Sequence, residues 1–353
     1  MAPTAARGRS RRRVSTENRS EVTDPDTAGN LIGDGAHALE RKAYLTLVDP
    51  RAGSRPASRI RGGQTPRHSK PASTTAPDTE TAKGPATGTR FSAAEIHENV
   101  RLAAEEELRR PSVELLWSAI ASGLTIGFSF VFAAWLSTLV APDHAGFAVA
   151  MGYPLGFIFV VLARNQLFTE NTLEPVIPLL NDRSLAMLRS VARLWAVVLL
   201  GNLAGALCFA LLAARTPMFD AVMTGAMRAV AGKATAGGFW AVAYLGIFAG
   251  WLIALMAWLV SSTRSTGAQI VLVWLTTAPI AAFNFRHSIA GSVEAFYLAA
   301  SGLTSWSVML LEFVVPAVIG NVIGGVILVA FLNYGQVSTI MQEGGIGRVR
   351  SGR

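Results

Sequence analysis

Between residues 113 and 337 the chain is mostly apolar, and polar or small residues divide it into six stretches, at about 113–139, 146–163, 190–213, 238–261, 268–300 and 308–332. A bilayer's hydrocarbon core is about 30 Å thick and takes about 20 helical residues to cross, so the pattern predicts six transmembrane helices. The fifth stretch is too long for one span and holds a polar break from Asn284 to His287. The second stops at Arg164 and resumes at Leu167 and Phe168. Non-helical backbone at membrane depth is tolerated only where protein or a water-filled cavity covers it. Both breaks, in spans two and five, are therefore expected to face the inside of the bundle.

The breaks belong to a repeat. Gly201-Asn202-Leu203-Ala204-Gly205 recurs 119 positions later as Gly320-Asn321-Val322-Ile323-Gly324, and Thr169 in the first break lies 118 positions before His287 in the second. Polar interruptions at matching places in two apolar halves mark a transporter's binding site, and three spans per repeat force the halves into opposite orientations. The expected fold is an all-α membrane protein with a 3+3 inverted repeat of the aquaporin kind. The glycines of the repeated motifs let helices approach closely, and Asn202 and Asn321 are placed to bond backbone groups freed at the breaks.

Upstream, Ser92 with Glu95 forms a capping box, and Phe91 with Ile96 supplies a hydrophobic staple. Ile96, Val100, Ala103, Ala104 and Leu108 then recur at helical spacing, which predicts an amphipathic helix lying against the bundle at the membrane surface. Residues 1–90 are rich in Arg, Ser, Thr, Pro, Gly and Ala and read as a disordered basic tail. The domain plan is thus a tail (1–90), an amphipathic helix (91–111), a six-span transport unit (112–335) and a short tail (336–353).

Charge sharpens this plan. The net of +8 is mainly a tail property, since 19 of the 31 basic and 14 of the 23 acidic residues precede position 111. Arg11, Arg12 and Arg13 lack aromatic interleaving or a binding fold, so no nucleic-acid partner is expected. No apolar segment follows them that would make a cleavable signal peptide. Arg183, Arg189, Arg193 and Arg264 on one side of the alternating loops, against Arg215, Arg228 and Lys233 on the other, place both termini in the cytoplasm. Cys208, inside the third span, excludes an intrachain disulfide and argues against thiol metal chemistry.

In these stretches the chain resembles the formate/nitrite transporter family, over about residues 112–335. The motifs that carry the resemblance are Leu167-Phe168-Thr169-Glu170-Asn171, His287-Ser288-Ile289-Ala290, the paired Gly-Asn-x-x-Gly sequences, and the run from Trp251 to Trp258 in span four. The resemblance implies a homopentamer in the cell membrane, with a pore in each protomer for small monovalent weak-acid anions such as formate or nitrite. It also implies that Thr169 faces His287 across the pore, with Phe168 and Asn171 beside them. Tyr153 stands at a cytoplasmic constriction, Ile280 at its partner position, and Lys233 draws anions into the outer vestibule.

Three residues depart from the family pattern: Arg164 and Glu170 where small residues are usual, and Arg286 where an acid is usual. Intramembrane charges are expensive and should be paired or line the water path, so Arg286 is expected to pair with Glu170 or Glu294. An imidazole at His287 is suited to proton coupling, because its ordinary pKa of about 6.5 lies within reach of modest environmental change. The competing class, an intramembrane enzyme, finds no Gly-x-Ser-x-Gly or His-Glu-x-x-His motif. The sequence therefore reads as an anion transporter without cofactor or metal, the alternative being a transport-inactive membrane scaffold of the same fold.

Overall fold

The computed structural model describes residues 91–331 and residue 335. The expectations for residues 1–90 and 336–353 fall outside them. Among the described residues every regular element is helical. We number them α1 (Ala93–Arg109), α2 (Ser112–Thr138), α3 (Pro142–Leu162), α4 (Val176–Asn181), α5 (Leu185–Arg215), α6 (Ala221–Thr235), α7 (Phe239–Val260), α8 (Thr266–Ala282), α9 (Ser288–Ala300) and α10 (Trp306–Ile327). Of these, α2, α3, α5, α7 and α10 are long and apolar enough to cross a membrane, while α8 and α9 are shorter apolar helices.

α1 begins where the capping box puts it: Ser92 accepts from the Glu95 amide and Glu95 accepts from the Ser92 amide. Its buried stripe is His97, Val100, Ala104 and Leu108, so His97 takes the place expected for Ala103, which is exposed. The stripe packs on α4, α5 and α7. Arg193 of α5 fastens the end of α1 by donating to the carbonyls of Leu108 (2.7 Å) and Arg110 (3.0 Å). These carbonyls lack intrahelical partners, and a guanidinium there also complements the helix dipole.

Two close helix pairs form the frame, α2 with α5 and α7 with α10. The repeated glycines lie at both seams. A Cβ at Gly205 would stand 2.3 Å from the Ile120 carbonyl oxygen of α2, and one at Gly324 would stand 2.0 Å from that of Ile247 in α7. A Cβ at Gly201 would stand 2.6 Å from that of Ala119, and one at Gly320 would stand 2.2 Å from the Ala243 carbonyl oxygen. Side chains at these positions would push the pairs apart, which explains why the motif needs glycine at both ends.

α3 ends at Leu162, followed by Arg164 with a positive φ of 53°. α8 ends at Ala282, followed by Asn284 at 56°. A left-handed residue ends the helical ladder and turns the chain inward. The segment after the first break holds only a 3-10 turn (Glu170–Thr172) and the six-residue α4, whereas the second break leads into the thirteen-residue α9, buried along its whole length.

Candidate functional site

The two asparagines of the repeated motifs hold the breaks. Asn202 Oδ1 accepts from the Phe168 amide, and its Nδ2 donates to the carbonyls of Gln166 and Ala119, each at 2.8 Å. Asn321 Oδ1 accepts from the Ser288 amide (2.8 Å), and its Nδ2 donates to the carbonyls of Arg286 (2.8 Å) and Gly246 (2.9 Å). One amide side chain satisfies a donor and an acceptor that each helix break sets free, and ties them to a neighbouring helix. Matched by these bonds, Phe168 corresponds to Ser288 and Gln166 to Arg286. Leu167, not Thr169, is therefore the counterpart of His287.

Thr169 and His287 nevertheless meet. Thr169 Oγ1 lies 2.8 Å from His287 Nε2, and both residues are almost wholly buried. His287 is the N-cap of α9, with Nδ1 accepting from the amides of Ile289 (3.2 Å) and Ala290 (3.1 Å). That assigns the imidazole proton to Nε2, which donates to Thr169 and leaves the threonine hydroxyl hydrogen available for a further acceptor. Phe157 packs its ring edge-on to the imidazole, centroids 4.9 Å apart. An imidazole that gains a proton at Nδ1 would set an N–H against two amide N–H groups, a geometric obstacle to the expected proton coupling.

A cavity of about 250 Å³ opens on one side of this pair, lined by His287, Tyr153, Ile280, Lys233, Asn284 and Glu294. A second, of about 350 Å³, lies at the α1 end, lined by Glu107, Arg164, Gln166, Glu170, Glu174 and Arg264 among others. The first borders the residues just before α7 and the second those just after it, so they are at opposite ends of a 22-residue helix. At the α1 end, burial pushes the Glu107 carboxyl up from its ordinary value, with Arg110 opposing the shift.

Four expectations change. Tyr153 shares the cavity of Lys233, so it is not at the end opposite that lysine, where a cytoplasmic constriction would be. Pro154 explains its position: a proline interrupts the α3 ladder there and leaves Tyr153 at the joint. Arg286 makes no ion pair among the described residues. Its Nη1 donates to the Lys233 carbonyl at 3.4 Å and its Nη2 to that of Ala236, so the guanidinium caps the C-terminal end of α6, a favourable partner for a cation. Glu170 belongs to the other cavity. Phe168 and Asn171 line neither; the Phe168 ring meets Trp195 at 6.2 Å, and Asn171 donates to Gln166 Oε1 while its carbonyl accepts from Trp195 Nε1.

Sequence reasoning passed over Glu294 as a cavity group and treated it only as a partner for Arg286. The signal was available, since seven residues after His287 is two helical turns and hence the same face.

The formate/nitrite transporter profile matches residues 94–335. The chain belongs to the formate/nitrite transporter family. Among its relatives is the inner membrane protein YfdC of Escherichia coli (strain K12), 36% identical over 254 residues that span 70% of this chain and 80% of that protein. A probable formate transporter of Methanothermobacter thermautotrophicus is 28% identical over 199 residues, 51% of this chain and 71% of that one. Among solved structures, a pentameric formate channel with formate bound aligns over 65% of this chain and 98% of its own, with a TM-score of 0.54 and 23% identity. At that identity the likeness speaks for a shared formate/nitrite transporter fold.

Proposed function

We propose that the chain moves small monovalent weak-acid anions, of the formate and nitrite kind, across a cell membrane through a pore in each protomer of a homopentamer. The observation that carries this reading is the buried Thr169–His287 pair standing between two cavities at opposite ends of the bundle. Names of relatives, a formate channel of Escherichia coli among them, support the substrate class. The architecture belonging to this reading is six spans in a 3+3 inverted repeat, with α8 and α9 forming the broken fifth span and both termini cytoplasmic. The matched asparagine bonds at the two breaks support the repeat.

In this pore Lys233 attracts the anion, Tyr153 and Ile280 narrow the route, and Thr169 with His287 supplies hydrogen bonds where water is excluded. Donors already oriented in a dry site stabilise an anion without reorganising solvent. Glu107, Glu170 and Glu174 outnumber Arg164 and Arg264 around the α1-end cavity, which opposes anion entry there and favours a second reading, a transport-inactive scaffold of the same fold. Stopped-flow uptake of formate, nitrite, lactate, acetate and hydrosulfide by proteoliposomes at two pH values tests the choice. Saturable uptake of at least one anion supports transport, and none by a folded protein supports the scaffold.

A further inference from the structure

Glu294 lies two turns beyond His287 on α9 and is 3% exposed, facing the Lys233-side cavity. No hydrogen bond or ion pair to another described residue holds its carboxyl. Gly291, between it and His287, also lines the cavity and has the Phe313 ring packed where a side chain would stand, so the carboxyl and the imidazole border one shared space that this ring walls at Gly291. The groups facing Glu294 can be named element by element. α6 presents Lys233, α3 presents Tyr153, and the break before α9 presents Arg286 and His287. The stretches of α2, α5 and α10 packed on α9 bring no titratable side chain to the cavity lining.

An anion drawn in by Lys233 thus meets a carboxyl in a space of about 250 Å³. Two negative charges so close repel, whereas one proton shared between them removes the repulsion, as in carboxyl pairs that titrate together. We infer that Glu294 is the proton-carrying residue of the transport cycle. The incoming weak-acid anion accepts the proton of the Glu294 carboxyl and leaves toward Thr169 and His287 as the neutral acid. The O–H bond of the glutamic acid breaks and an O–H bond to the substrate oxygen forms. The carboxylate then regains a proton from water on the Lys233 side. This inference rests on the transport reading. It also accounts for a neutral His287, whose Nδ1 is committed to the first turn of α9.

The test uses full-length protein in liposomes loaded with a pH-reporting dye, following radiolabelled formate and internal acidification together. The wild type is expected to take up one proton per formate, with a rate rising about tenfold from pH 7 to pH 6. Glu294→Gln keeps a hydrogen-bond donor of similar size and is expected to lose more than nine-tenths of uptake at pH 6, the remainder being pH-independent and unaccompanied by protons. Glu294→Asp is expected to keep the one-to-one ratio. A Gln variant with the wild-type ratio and pH profile overturns the inference, as does wild-type formate uptake without protons, and both leave the transport reading intact. Absence of any flux in folded wild type overturns the transport reading and this inference with it. If the Gln variant does not assemble, wild type treated with a hydrophobic carbodiimide decides by peptide mapping. An adduct on Glu294 that formate protects against supports the role, and no adduct there overturns it.

Discussion

Arg286 donates to the backbone carbonyl of Lys233, so one cation braces the chain segment that carries another. Asn284 donates to the same carbonyl at 3.2 Å, and both therefore latch the second break onto the end of α6. The effect is to fix where the Lys233 side chain enters the cavity. Arg286→Gln is expected to weaken the anion's half-saturation several-fold while changing the maximal rate less, because about 1–2 kcal/mol of capping at the α6 terminus is lost. Combined with Glu170→Gln the losses should add, since the two side chains serve different cavities. Concentration series of anion uptake for the two single variants and the double variant check this, and mutual rescue would contradict it.

Thr169→Val is expected to lower flux about 2- to 10-fold, the loss of one hydrogen bond to the passing acid, with assembly unchanged. His287→Asn should lower the rate while leaving the number of protons per anion as in wild type. The same liposome assay reads both. A changed proton ratio in the histidine variant would return proton carriage to the imidazole.

Asn202→Ala and Asn321→Ala each remove three buried hydrogen bonds and strand the Phe168 or Ser288 amide. Each should lower stability by about 3 kcal/mol or more, seen as a fall in the melting temperature of detergent-solubilised protein. Replacement by Asp, which accepts but cannot donate, should be intermediate in neither case, because an unpaired buried charge is added.

On α1, burial lowers the pKa of His97, whose ring lies edge-on to Trp258 at 6.3 Å. A histidine buried as the neutral form supports docking of α1 above its unfolded pKa of about 6.5 and loses that contribution as pH falls through its lower folded value. Protection factors of the α1 amides, corrected for the slower intrinsic exchange in acid, should therefore fall on acidification more in the wild type than in His97→Phe, which keeps the ring contact and cannot titrate. Comparing the two proteins removes the opposing effect of Glu107, which gains a proton over the acid range.

Much of this was legible from residue spacing. The capping box fixed the start of α1, the Gly-Asn-x-x-Gly pairs announced two close helix seams, and the polar interruptions located both breaks. What spacing could not supply was direction. Thr169 and His287 lie 118 positions apart, yet they are not matched at the breaks, because the asparagine bonds pair Phe168 with Ser288 and so set Leu167, two residues before Thr169, against His287. The partner of Arg286 was missed for a related reason. Charge rules suggest a carboxylate, but the guanidinium found the free carbonyls at the end of α6, groups that carry no formal charge and leave no mark in the sequence. Tyr153 was set apart from Lys233 because the count back from Thr169 says nothing about which of the two cavities the residue reaches.

The asparagine latches have a consequence for how such a protein diversifies. Each pins a break from an adjacent helix by bonds to main-chain atoms alone, and the course of the backbone past the constriction does not depend on which side chains border the cavities. Positions 153, 280 and 294 can then exchange polarity, bulk or charge over evolutionary time while the orifice keeps its shape. Substrate preference becomes an interchangeable insert in a standing frame, and one scaffold can be retuned from one small acid to another by single substitutions.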